Sequence, residues 1–165
     1  MFIKIVRLPV IRAISFNSRN REPKKEAHRQ LLEFLTGNLL SDNPTYFQVF
    51  GRNNPMSINH PGKRGYEFLL TIPDEFIVES NVPVTFISPQ LYAVVTSKGI
   101  IQTRENWNNL VDRIKDSKEF TFNYPQGYDY DRLPSLELEH HLNPYNTDED
   151  TILVDYYFPI KERDK

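Results

Sequence analysis

The sequence contains no cysteine, which excludes a disulfide scaffold and any thiolate metal site and fits a reducing cytoplasm. Its 6 glycines are scattered and form no phosphate-cradling loop, and no serine sits in a nucleophile-elbow pattern. No apolar run approaches the roughly 18 residues of a membrane span. The segment Met1–Val10 interleaves Lys4 and Arg7 with Ile3, Ile5, Val6 and Leu8, so it lacks the continuous apolar core of a secretory signal and reads as a strand. A surplus of basic charge is also missing. Lys and Arg number 20 against 22 Asp and Glu, a net charge of −2, where a general nucleic-acid binder needs a positive excess to neutralise phosphates. Direct DNA binding is therefore not expected.

What remains suits one domain over 1–165, with aromatics at 13% supplying much of the buried area. Val10–Phe16 is rich in β-branched and aromatic residues and reads as strand. Pro23 suits a first helical position, Ala27, Leu31, Phe34 and Leu35 recur on one helical face, and Gly37 is a stop signal. Tyr46–Phe50 reads as strand, Asn53–Pro55 as turn, and Tyr66–Ile72 as strand closed by Pro73. Residues 84–88 and 91–97 follow as strands flanking Pro89. Thr103 is a candidate cap for a second helix carrying Trp107, Leu110, Val111 and Ile114 on one face. Residues 118–132 read as loop, Ser135–Leu142 as strand, and Ile152–Ile160 as the last strand.

The order strand, helix, strand, strand thus occurs twice. Pro9 and Ala13 precede Pro89 and Ala93 by 80 positions, as Ala27, Leu31 and Phe34 precede Trp107, Val111 and Ile114. Pro44 and Asn53 precede Pro134 and Asn143 by 90, and Pro73 precedes Pro159 by 86. The ordered series implies an α+β fold of duplicated strand–helix–strand–strand units, with pseudo-repeats near 4–75 and 84–161. They would form one antiparallel sheet with two helices on one face and a central cleft on the other. Alternation then assigns faces. Leu136 and Leu138 are expected on the helix side, with Glu137, Glu139 and His141 opposite. Tyr92, Tyr157, Phe47 and Glu67 would share that opposite face with the acids. A carboxylate among aromatic rings must be paired, protonated or available to a cation, and the rings themselves attract cations. The alternative is an ordinary water-facing sheet surface.

Pro134–Glu137, the ending Val154–Lys161, Tyr92–Ala93, Trp107 and the Tyr66–Phe68 strand occur in an order that resembles the GyrI-like small-molecule-binding family. This SOUL/GyrI-like family includes the effector-binding halves of AraC-type and MerR-type regulators. The resemblance spans roughly Val6–Lys161 and implies a duplicated unit with a central ligand pocket. It implies that Glu137 is the pocket acid for cationic ligands, with Trp107, Tyr92 and Tyr157 at aromatic positions. Where the family often has an aromatic two residues after that acid, this chain has Glu139. No stretch is left for a helix-turn-helix, so the resemblance implies a stand-alone cytoplasmic member that binds or sequesters a hydrophobic, cationic small molecule. Two further activities are linked to such members: hydrolysis of strained cyclopropanoid electrophiles, with Glu137 catalytic, and inhibition of a protein partner, DNA gyrase. No cofactor is expected. A metal site would need His141, Glu137 and Glu139 together with a further ligand, and none is expected.

Overall fold

The computed structural model describes residues 2–38 and 47–164. Eleven principal elements follow in chain order: β1 (Ile3–Leu8), β2 (Ile11–Ser18), α1 (Pro23–Gly37), β3 (Val49–Asn53), β4 (Tyr66–Thr71), β5 (Val84–Ile87), β6 (Gln90–Lys98), α2 (Gly99–Asp116), β7 (Phe120–Phe122), β8 (Leu138–His141) and β9 (Leu153–Glu162). All strands join one antiparallel sheet in the order β1-β6-β9-β8-β3-β4-β2-β5, with β7 beside β9. The order reads as a mirrored pair of triplets, β6-β9-β8 and β3-β4-β2, meeting where Phe50 pairs with His140 and Gly51 with Glu139. The outer strands cross over: β1 precedes β2 but pairs with β6, and β5 precedes β6 but pairs with β2. Each half therefore closes the edge of the other. No helix among the described residues is long and apolar enough to cross a membrane.

Both helices lie on one face. Ala27, Leu31 and Leu35 of α1 pack on Ile14, Phe16, Phe68 and Leu70. Leu110 and Ile114 of α2 pack on Ala93, Val95, Phe158 and Ile160. The face away from the helices is filled rather than open. Ala13, Phe50, Leu69, Ile87, Tyr92, Val94, Leu138 and Tyr157, drawn from seven different strands, form a single buried cluster. The sheet curls around it, and these side chains occupy the space where the cleft was expected. The expected cleft lies instead on the helix face, between α1 and α2.

Several local expectations shift. Thr103 does not cap α2. The helix begins at Gly99, whose φ of 70° and close approach to the Asp150 carbonyl (2.6 Å from a built Cβ) favour glycine, and the Thr103 hydroxyl donates to the Gly99 carbonyl at 2.8 Å. Asn53 ends β3 instead of opening a turn, because it pairs with Tyr66 while its carbonyl accepts from Ser135 N–H. Residues 120–122, read as loop, form β7 against Ile160–Glu162. The last strand before the acidic turn is shorter than expected, leaving Ser135 and Glu137 just ahead of it. Ala13 and Ala93, matched by sequence, face opposite sides: Ala13 belongs to the curled cluster and Ala93 to the α2 side. Strand faces alternate with period 2, so equivalent positions here differ by an odd offset. Pro44 and Tyr46 lie outside the described residues.

Leu138 is 1% exposed at the centre of the curled cluster. Truncation to alanine is expected to cost about 2–5 kcal/mol, read as a lower urea midpoint at unchanged m-value.

Candidate functional site

Cross-strand partners in an antiparallel ladder share a side. Glu139 is paired with Tyr156 and with Gly51, and Leu138 with Tyr157. Tyr156 packs beside α2, so Glu139 faces the helices, and Leu138 faces the curled core. This reverses the expected phase of β8. Phe47, expected beside the acids and away from the helices, is reversed too, since it packs into the α1 core. For β4, β6 and β9 alternation assigned the faces as the structure does, with Tyr66, Phe68 and Leu70 toward α1 and Glu67 and Leu69 away.

The cleft between the helices has two lobes. The larger, about 790 Å³, runs from the start of α1 over Tyr66, Phe68, Glu139 and His141 to the loop at Pro144–Glu149. The smaller, about 400 Å³, lies under α2 and is lined by Val95, Trp107, Ser135, Glu137, Tyr156 and Phe158 among others. Asn53, Ile100, Thr103, Glu139 and Tyr156 line both lobes, so the two adjoin. Each lobe falls in the size range of small-molecule pockets.

Glu137 is held by hydroxyls. Tyr124 donates to Oε1 at 2.7 Å and Ser135 donates to Oε2. Burial, and then the neighbouring Glu137 charge, push the Tyr124 phenol well above its ordinary range, so it stays a donor. Trp107 closes the side of this lobe, its ring 4.5 Å from that of Phe158; at 39% exposed it lies at the surface beside the cavity and is not a core residue.

Glu139 has different partners. Tyr66 donates to Oε2 at 3.2 Å, and with its one proton so used, the Tyr66 oxygen is left to accept from His141 Nε2–H at 3.1 Å. The ammonium of Lys24 stands 3.6 Å from the same carboxylate oxygen and 5.1 Å from the centre of the Tyr66 ring. Burial raises Tyr66 well above its usual range, and Tyr156 is pushed up to about 12 by burial and the Glu139 charge. His141 is driven down to about 3, first by burial and then by Lys24, His28 and His140. Its Nε2 lies 3.7 Å from the same Glu139 oxygen. Gly51 makes room for this group: a Cβ there would strike the Tyr66 hydroxyl and come within 2.9 Å of His141 Nε2.

Glu137, Glu139 and Trp107 are thus brought together on one cavity. Tyr92 and Tyr157 are not: their rings meet edge to face at 5.5 Å inside the curled core. Glu67 is buried on that same side, where Arg52 Nε donates at 2.6 Å, Ser15 Oγ at 2.6 Å and Asn54 Nδ2 at 3.2 Å. Phe47 packs against the α1 core and the Phe76 ring. Lys24, Tyr66, Tyr124 and Tyr156 were missed. Tyr66 and Tyr156 carried a signal, because alternation already placed both on the helix side. Lys24 reaches the cleft, and Tyr124 the Glu137 carboxylate, only through tertiary folding. Among the described residues no three His, Asp or Glu side chains cluster in a way that could hold a metal.

No protein-family model matches the chain, and no curated protein matches it by sequence. Solved structures do match. The C-terminal domain of EcmrR superposes with a TM-score of 0.63 at 14% identity, covering 98% of this chain and 98% of that one. For EcmrR in its DNA complex the TM-score is 0.62, with 98% of this chain but only 58% of that chain covered, so this chain spans little more than half its length. A hydrolase encoded by lin2189 from Listeria innocua gives 0.66 at 8% identity over 96% of this chain and 91% of that one. SAV2435 bound to tetraphenylphosphonium gives 0.51 at 11% identity over 98% and 94%. At these identities the likeness establishes a shared fold.

The His141 environment generates a pH dependence. Its folded value of about 3 lies below the ordinary 6.5, so the unfolded chain binds the proton more readily. Stability is then full above about pH 6.5 and falls as pH drops toward about 3, by on the order of 1–2 kcal/mol over the first 1.5 units or so. His140, also lowered by burial, acts in the same direction. The urea midpoint of wild type is expected to fall across this window, and that of His141→Gln to fall less steeply.

Proposed function

We propose that the chain is a single small-molecule-binding domain of GyrI-like, effector-binding type, built of two halves near 4–75 and 84–161. Its ligand is a hydrophobic cation held in the cleft between α1 and α2. The observation that carries this reading is Glu137 in the smaller lobe, a carboxylate fixed by two hydroxyl donors beside Trp107, Tyr156 and Phe158. A fixed negative charge against aromatic and aliphatic walls favours a cation whose own surface is apolar, since that ligand loses little hydration on entering. Glu137, Glu139 and Trp107 make the proposed contacts. Tyr92, Tyr157 and Glu67 support the sheet from behind, and Phe47 packs into the α1 core. The shared fold with the EcmrR C-terminal domain, and with SAV2435 seen with tetraphenylphosphonium, supports the assignment. In this reading the domain senses or sequesters its ligand and leaves contact with DNA to other protein.

Calorimetric titration with tetraphenylphosphonium tests it. Wild type is expected to bind, and Glu137→Gln, which keeps the shape and removes the charge, to bind at least about tenfold more weakly, the equivalent of about 1.4 kcal/mol. Equal affinity in the two proteins would sink the proposal.

One observation favours a second reading. Tyr124 and Glu137 form a phenol–carboxylate pair at 2.7 Å, a proton-transfer unit of the type that would serve hydrolysis of a strained electrophile. A hydrolase shares the fold. Against it, both carboxylate oxygens of Glu137 already accept hydroxyl protons, so a water molecule would have to compete with Tyr124 and Ser135 for them. Turnover of a cyclopropane-containing electrophile by wild type, lost in Tyr124→Phe, would establish this reading over simple binding.

A further inference from the structure

The larger lobe already contains a cation, and it belongs to the chain. Lys24 Nζ lies 3.6 Å from Glu139 Oε2 and 5.1 Å from the Tyr66 ring centre. A carboxylate and an aromatic face converging on one ammonium is the arrangement that recognises organic cations in general. The lysine does nothing for its own helix. It stands in the first turn of α1, which starts at Pro23 and has no side-chain cap, and there a positive charge opposes the helix dipole. Nor is it locked in place: its side chain is 49% exposed, and its separation from Glu139 is that of a loose ion pair.

We infer that Lys24 is a tethered competitor, an internal ammonium that occupies the Tyr66–Glu139 subsite and must be displaced before a cationic ligand can use both acids of the cleft. The inference rests on the proposed binding of hydrophobic cations and adds a determinant of their affinity. Glu139 lines both lobes, so a cation in the smaller lobe beside Glu137 shares that lobe with Glu139 as well. With Lys24 in place, Glu139 is neutralised and Glu137 is the only uncompensated acid of the pair. A small ammonium ion in solution competes poorly with a side chain held at high local concentration. A bulky cation that also buries apolar area can overcome it. Lys24 thereby sets a threshold that favours large lipophilic cations.

Tetraphenylphosphonium titrations of the 165-residue wild type, Lys24→Met, Lys25→Met and Lys24→Met/Glu139→Gln test the point, with far-UV circular dichroism to check folding. Removing Lys24 is expected to tighten binding by roughly five- to tenfold, the worth of one half-exposed ion pair and one ring contact. Lys25→Met removes the same formal charge one residue along and is expected to gain at most about twofold, the share due to long-range charge. The gain should vanish when Glu139→Gln is added. Neutral triphenylphosphine oxide should bind wild type and Lys24→Met alike. Equal gains from Lys24→Met and Lys25→Met, or no gain from Lys24→Met while Glu137→Gln still weakens binding, would overturn the inference and leave the proposed function standing. If no variant binds the cation, both fall.

Discussion

The structure depends on the junction where β8 meets β3 and β9. Glu139 is opposite Gly51 on one side and Tyr156 on the other, and its phase determines which face carries the acids. A slip of one residue would send Glu139 into the curled core and bring Leu138 out between the helices. The buried charge would then lack its Tyr66, His141 and Lys24 partners, and the core would lose its central leucine. Both penalties have the same sign, so register and site are specified by one set of contacts. Gly51 belongs to that set, because only a residue without a side chain leaves the Tyr66 hydroxyl free to reach Glu139.

Most of the fold was legible because it is written in periodicity. Ala27, Leu31 and Leu35 mark α1, and the alternation in Tyr66–Thr71 and Gln90–Lys98 assigns those strands correctly. Strand β8 misled for a physical reason. Alternation reveals which residues share a side, but the side itself is inferred from where apolar residues are needed. The sheet here is apolar on both faces, because it packs on the helices on one side and curls on itself on the other. Leu138 was thus given to the helices when it belongs to the curl. The same assumption of one wet face placed Tyr92 and Tyr157 beside the acids, though the sheet lies between them.

The site was legible in part for a related reason. Glu137 and Glu139 stood out as charges in an apolar strand, and Trp107 as a large ring on an amphipathic helix. The partners that give those acids their character come from far along the chain: Tyr124 from the segment after β7, Lys24 from the first turn of α1, and Tyr66 from β4. No short-range pattern brings these together. Antiparallel pairing of the two halves and the cleft between the helices do so.

The two acids differ in how their charge is met. Glu137 accepts from neutral hydroxyls, which stabilise the anion without cancelling it, so its field is still available in the cavity. Glu139 faces an ammonium that cancels most of that field. Two bare carboxylates in one cleft would repel each other and would push one of the pair toward protonation. Compensating one of them with a half-exposed lysine avoids that cost while leaving one strong anionic point in the cavity. A ligand that displaces the lysine releases its ammonium into water, where hydration recovers part of the cost of breaking the pair. The second acid is therefore held in reserve and becomes accessible only when something larger than an ammonium fills the space.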